Sequence, residues 1–96
     1  MIDLKEAVAL GAAWLDEIHS GWHKKIDPFA LDMRDMAACV LGQLYGDMGT
    51  GMEQKQNATW EFWLTHGIII PNANNYKQQY NVLTEHWRRQ IEERNR

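Results

Sequence analysis

Tyr76-Lys77-Gln78-Gln79-Tyr80-Asn81-Val82-Leu83-Thr84-Glu85-His86-Trp87-Arg88-Arg89-Gln90-Ile91 is the stretch that decides the fold. Tyr76, Tyr80, Leu83, Trp87 and Ile91 recur at three- and four-residue steps, which stacks them on one face of a helix and cannot suit the two-residue alternation of a strand. Asn72, Asn74 or Asn75 supplies the cap. Upstream, Ile68-Ile69-Ile70-Pro71 is β-branched but short, and no second strand pattern exists to pair with it, so it reads as an extended connector laid on the core.

Further out, residues 50–66 read as one helix opened by a Thr50-x-x-Glu53 capping box, with Met52, Gln56, Thr59, Trp60, Trp63 and Leu64 on one broad face and Gly67 as its cap. Phe62 falls off that face and needs another neighbour or a partner. Residues 36–45 form a nearly all-apolar helix capped by Asp32 or Asp35, with Met36, Cys39, Val40 and Leu44 buried and Leu41 beside them. Asp27-Pro28 predicts a single turn at 28–31 within the connector 23–35. The first helix has a capping-box-like start at Asp3-x-x-Glu6 and places Leu4, Ala7, Val8, Gly11, Trp14, Leu15 and Ile18 at the spacing of one helical face. It stops at Gly21, with Trp22 folding back on its last turn. The expectation is an all-α fold, one compact domain over 1–96 with four helices and short connections.

Ninety-six residues leave no room for separate catalytic and regulatory units. Ten Lys+Arg against thirteen Asp+Glu give a net charge of −3 and a pI near 5.7, which lacks the basic excess that phosphate backbones need, so nucleic acid is disfavoured as a partner. Residues 1–48 carry four basic and eight acidic groups, and residues 49–96 carry six and five. One acidic face suits a basic protein surface. Cys39 is the sole cysteine, which excludes an internal disulfide and suits a reducing compartment. Neither a signal peptide nor an apolar run of membrane-spanning length is present, and the expected location is the cytosol.

Five tryptophans, three tyrosines and two phenylalanines could line a pocket or anchor an interface. Trp14, Trp60 and Trp87 sit on their helices' apolar stripes and read as core. Trp22, Phe29, Phe62 and Trp63 are the candidates for a protein interface. A second candidate site joins the glycine-rich Gly46-Asp47-Met48-Gly49-Thr50-Gly51, whose Gly49, Thr50 and Gly51 open a helix and could hold an anion, with Arg34 and Lys24 or Lys25 meeting phosphate. The loop has no Walker lysine and no preceding strand, which makes it weak as an anion motif, and a C-cap followed by an N-cap is the stronger reading. His19, His23, Cys39 and His66 have no metal-ligand spacing, and Cys39 lies in the apolar run 37–41 as a small hydrophobe. No metal site, cofactor or catalytic grouping is expected. The mixed-charge C-terminal run reads as a solvated helix face with Glu85 four residues before Arg89.

Ala9-Leu10-Gly11-Ala12-Ala13-Trp14-Leu15-Asp16-Glu17, Gly21-Trp22, Ile26-Asp27, Leu31-Asp32-Met33 and Cys39-Val40-Leu41-Gly42-Gln43-Leu44-Tyr45-Gly46-Asp47 resemble the small uncharacterised proteins of actinobacterial phages and their hosts. His66-Gly67 and Leu83-Thr84-x-x-Trp87 are also similar to that family. The resemblance spans most of the chain and is strongest over 9–47. It implies a phage or prophage setting and no activity. The family often carries a cysteine three residues before Cys39, where this chain has Met36, a departure that argues against metal or redox chemistry.

Three expectations for function follow. The first is a non-catalytic phage-type accessory protein that binds and occludes a host or defence protein, since the chain is small, half acidic and rich in aromatic anchors. The second is a protein that sequesters a nucleotide-like small molecule between aromatic faces and the Gly46–Gly51 loop. The third is a homo-oligomeric structural module with Phe62 at its interface.

Overall fold

A computed structural model describes residues 3–70 and 75–96. Asp3 opens α1 (Leu4–Ile18): its Oδ1 accepts from the backbone N–H of Lys5 at 2.9 Å and of Glu6 at 3.4 Å, which satisfies two of the amides a helix start leaves free. Ala7, Val8, Gly11, Ala12 and Leu15 form its buried face. Beyond it Gly21 adopts φ +78°, a left-handed turn that glycine makes without Cβ strain, and sends the chain into a 3₁₀ turn, Trp22–Lys25.

Three short helices follow, each opened by a side-chain cap. Cys39 Sγ caps α2 (Val40–Tyr45), Asp47 caps α3 (Met48–Met52) and Thr59 caps α4 (Trp60–Thr65). The single helix expected over 50–66 is therefore two. Its polar middle ends α3 in turns, Asn57 takes φ +61°, and Thr59 Oγ1 accepts from Phe62 N at 3.3 Å to start α4 afresh. Likewise the second helix begins at Val40 rather than Met36. Asp35 Oδ1 accepts from Ala37 N and Ala38 N, and this carboxylate holds 36–38 as a turn that leaves Met36 57% exposed instead of in the core.

Ile68, Ile69 and Ile70 are buried in a non-helical strap on the core, with the amides of Ile68 and Ile69 donating back to the Trp63 carbonyl. The strap leads towards α5 (Tyr76–Arg94), whose first-turn backbone follows Asn75 without a side-chain cap; Asn72 and Asn74 lie outside the described residues. Leu83, Trp87 and Ile91 are fully buried, whereas Tyr76 at the helix start is exposed.

α1 and α5 lie side by side and run parallel. Leu4 shares a surface groove with Gln78 and Val82 at one end, Gly11 backs onto the Trp87 ring midway, and Asp16 is paired with Arg94 at 2.8 Å at the other. The 3₁₀ turn, Leu31, Met33, Trp63 and the isoleucines 68–70 pack into one core with this pair. Trp22 and Trp87, both fully buried, meet edge to face at 5.7 Å and 86°. Their indole N–H groups donate to Asp16 Oδ1 and to the Gly67 carbonyl respectively, so neither indole nitrogen is buried without a partner. Truncating either to alanine would cost about 3–5 kcal/mol.

One core cluster takes in α1, the 3₁₀ turn, residues 31–41, Trp63, the isoleucine strap and α5. The Cα radius of gyration is 12.1 Å, close to the ~12.5 Å of a compact chain of this length. The fold is all-α, a compact single domain with five α-helices among the described residues. None of these is long and apolar enough to cross a membrane.

Candidate functional site

Phe29 stands at the tip of a turn whose backbone is tied down by hydrogen bonds. Pro28 presets φ for the turn, and Asp27 Oδ1 accepts from Phe29 N at 2.9 Å and Ala30 N at 3.4 Å, an aspartate-closed turn that satisfies both amides. Two long side chains clamp this turn from opposite directions. From α2, Gln43 Oε1 accepts from Asp27 N at 2.7 Å while its Nε2 donates to the carbonyls of Asp27 and Ala38. From α5, Arg88 Nε donates to the Pro28 carbonyl at 2.9 Å and Nη2 to that of Leu31 at 3.5 Å. Ile26 and Leu31 are buried on either side. Between these anchors the Phe29 ring is 95% exposed, which forgoes about 1.5–3 kcal/mol of burial.

Beside the ring runs a groove of about 520 Å³ between the turn and α5. Its walls are Phe29, Asp32, Asn81, Thr84, Glu85 and Arg88, with Ala30 and Leu31 along the turn. Arg88 also pairs with Glu85 one turn back on α5. The expected Glu85–Arg89 pair is thus replaced by Glu85–Arg88, because Arg88 lies on the side of α5 that faces the turn.

The other aromatic candidates belong elsewhere. Trp22 is in the core, and Trp63 is buried as well, so neither offers a surface. Phe62 is half-buried: it meets Trp14 at 5.5 Å and Trp63 at 4.9 Å edge to face, and stacks on His66 at 3.9 Å. These are the neighbours that its place off the apolar face required, and Lys55 lies over its ring. Trp60, expected in the core, is 65% exposed, because it is the first residue of a new helix and the register of the long stripe does not reach it.

At the glycine-rich loop, Asp47 sits where an anion would. Its Oδ1 accepts from Thr50 N at 2.8 Å and its Oδ2 from the Thr50 hydroxyl at 3.1 Å, and the Thr50 amide holds this carboxyl below its usual range. The Thr50–Glu53 capping box is not formed, since Asp47 already caps α3. Gly51 serves packing: a Cβ there would come within 2.6 Å of Leu41. Lys24 and Arg34 are exposed, and neither side chain hydrogen-bonds to α3 among the described residues. The cap reading of this loop is the one its geometry fits.

The histidines are dispersed. His19 Nδ1 bonds to Tyr45 Oη at 2.8 Å and its Nε2 to Lys25 Nζ at 3.2 Å, while His23 bonds to Asn95. Among the described residues no three potential ligands gather for a metal. Burial pushes the Cys39 thiol up, as for a small core hydrophobe. Sequence reasoning named Phe29 but missed its clamps, since Gln43 and Arg88 lie 14 and 59 residues downstream. Comparison with protein-family models, with curated proteins and with solved structures found no match.

Proposed function

We propose that this protein is a non-catalytic binding protein whose Phe29 turn is the anchor for a protein partner. The observation that supports the reading is an exposed aromatic on a turn whose backbone is held by hydrogen bonds from two helices. A phenylalanine left in water is a cost that folding could have avoided, and here α2 and α5 both contribute side chains to hold it there. An aromatic presented on a pre-ordered backbone spares a partner the cost of ordering that turn when its pocket closes on the ring, which is how interface anchors concentrate binding energy. The likeness to small phage proteins sets the partner in an infected bacterium, as a host or defence protein that the bound chain occludes.

The test is capture from a lysate of the host bacterium by the tagged protein and by its Phe29→Ala variant. The wild-type chain is expected to retain a stoichiometric partner, and Phe29→Ala to lose it at least tenfold. The variant's thermal midpoint should stay within about 4 °C, as for a surface substitution. Equal capture by both proteins would overturn the proposal.

A further inference from the structure

We propose that the groove beside Phe29 receives a cationic side chain, arginine or lysine, from a basic segment of the partner; this rests on the reading of Phe29 as the anchor. The argument is which hydrogen-bonding capacity the groove leaves open. Arg88 is engaged on all three nitrogens, with Pro28, Leu31 and Glu85. Thr84 Oγ1 accepts from Met33 N and donates to the Tyr80 carbonyl, which exhausts its useful geometry. Among the described residues, what remains is Asp32 Oδ2, whose Oδ1 alone accepts from Arg34 N, Glu85 Oε1, whose Oε2 is on Arg88, and the Asn81 amide.

Two carboxylate oxygens and an amide favour an incoming donor. Asp32 and Glu85 against Arg88 leave one negative charge in excess, which attracts a cation and repels phosphate or a carboxylate. The exposed Phe29 ring at the rim adds a face on which a guanidinium stacks. A groove of about 520 Å³ has room for a long side chain together with part of the segment that carries it.

The test is an amide NMR titration with two probes, acetyl-Gly-Arg-Gly-amide and acetyl-Gly-Glu-Gly-amide. The arginine peptide is expected to shift the Asn81 side-chain amide and the backbone of Ala30, Thr84 and Glu85, with a Kd on the order of millimolar; the glutamate peptide should leave them unmoved. Asp32→Asn/Glu85→Gln keeps every acceptor used by Arg34 and Arg88, so it folds, and should weaken the arginine peptide about tenfold. Equal response to both peptides, or undiminished binding by the double variant, would overturn the groove. Concentration-dependent broadening of these resonances without peptide would identify a second copy of this chain as occupant and also overturn it. The two proposals separate in the capture experiment. Partner lost by Phe29→Ala but fully kept by the double variant leaves the anchor and removes the groove, whereas unchanged capture by Phe29→Ala removes the anchor and leaves the titration to decide the groove alone.

Discussion

Replacing a mid-helix glycine by alanine ordinarily stabilises a helix by about 1 kcal/mol, and at Gly11 the sign should reverse. A Cβ there would lie 2.1 Å from the His66 carbonyl oxygen and 2.9 Å from the Trp87 ring. The helix α1 can approach both only because that position has no side chain. Gly11→Ala is expected to destabilise the protein by about 1–3 kcal/mol, the range of an overpacked core, read as a lower urea midpoint. An unchanged or raised midpoint would show that α1 does not pack against the 66–67 turn as described. Single residues were the hardest to place from sequence. Trp22 follows a helix-ending glycine, a position that fits either a fold-back contact or a free anchor, and its burial depends on Trp87, 65 residues away. Phe29 has no such distant ring to meet.

Elements were legible where a long periodic stripe ran through them. α1, opened by the Asp3 cap, and α5, which has no side-chain cap, both stand nearly where the apolar spacing put them. The middle of the chain carries several caps at close spacing: Asp35, Asp47, Thr50 and Thr59 all offer an oxygen to a following turn. Asp47 prevails over Thr50 because its carboxylate reaches both the Thr50 amide and hydroxyl. Between α5 and the segment before α2, one buried contact carries the join: Thr84 Oγ1, in a residue 7% exposed, accepts from Met33 N at 2.9 Å. Thr84→Val keeps the shape and leaves that amide without a partner, and should cost about 1–3 kcal/mol. Thr84→Ser, which retains the oxygen, should cost less than Thr84→Val in denaturant melts. Equal costs would assign the loss to packing alone.

On the scale of the whole molecule, α1's end, the 3₁₀ turn and α2 are joined through one imidazole. The Lys25 ammonium has only hydrogens to offer, so His19 Nε2 accepts from it and Nδ1–H donates to the Tyr45 hydroxyl oxygen. Burial, and after it the Lys25 charge, hold the His19 pKa below its usual value of 6.5, and burial raises that of Tyr45. Above about pH 6.5 the imidazole is neutral folded or unfolded, and its network is intact. As pH falls through that value the unfolded chain takes the proton first, so stability drops. The urea midpoint should therefore fall between pH 7.5 and 5.5, and fall less in His19→Gln. A separate loss belongs at lower pH: Asp16, whose carboxyl the Arg94 guanidinium holds below its usual range, supports folding above about pH 4 and gives that support up as it protonates. An identical pH slope in wild type and His19→Gln would remove His19 from the account.

The sequence by itself determined the class of the fold, the two long helices and the isoleucine connector on the core, because those follow from periodicity, capping chemistry and β-branching within a few neighbouring residues; it offered Phe29 only beside Trp22, Phe62 and Trp63. Tertiary structure alone decided that α1 and α5 run parallel, that Trp22 and Trp63 go inside while Trp60 stays out, and that Gln43 and Arg88 converge on the Phe29 turn. These depend on contacts between residues far apart in the chain, and local spacing holds no information about which distant ring or carbonyl a side chain will meet.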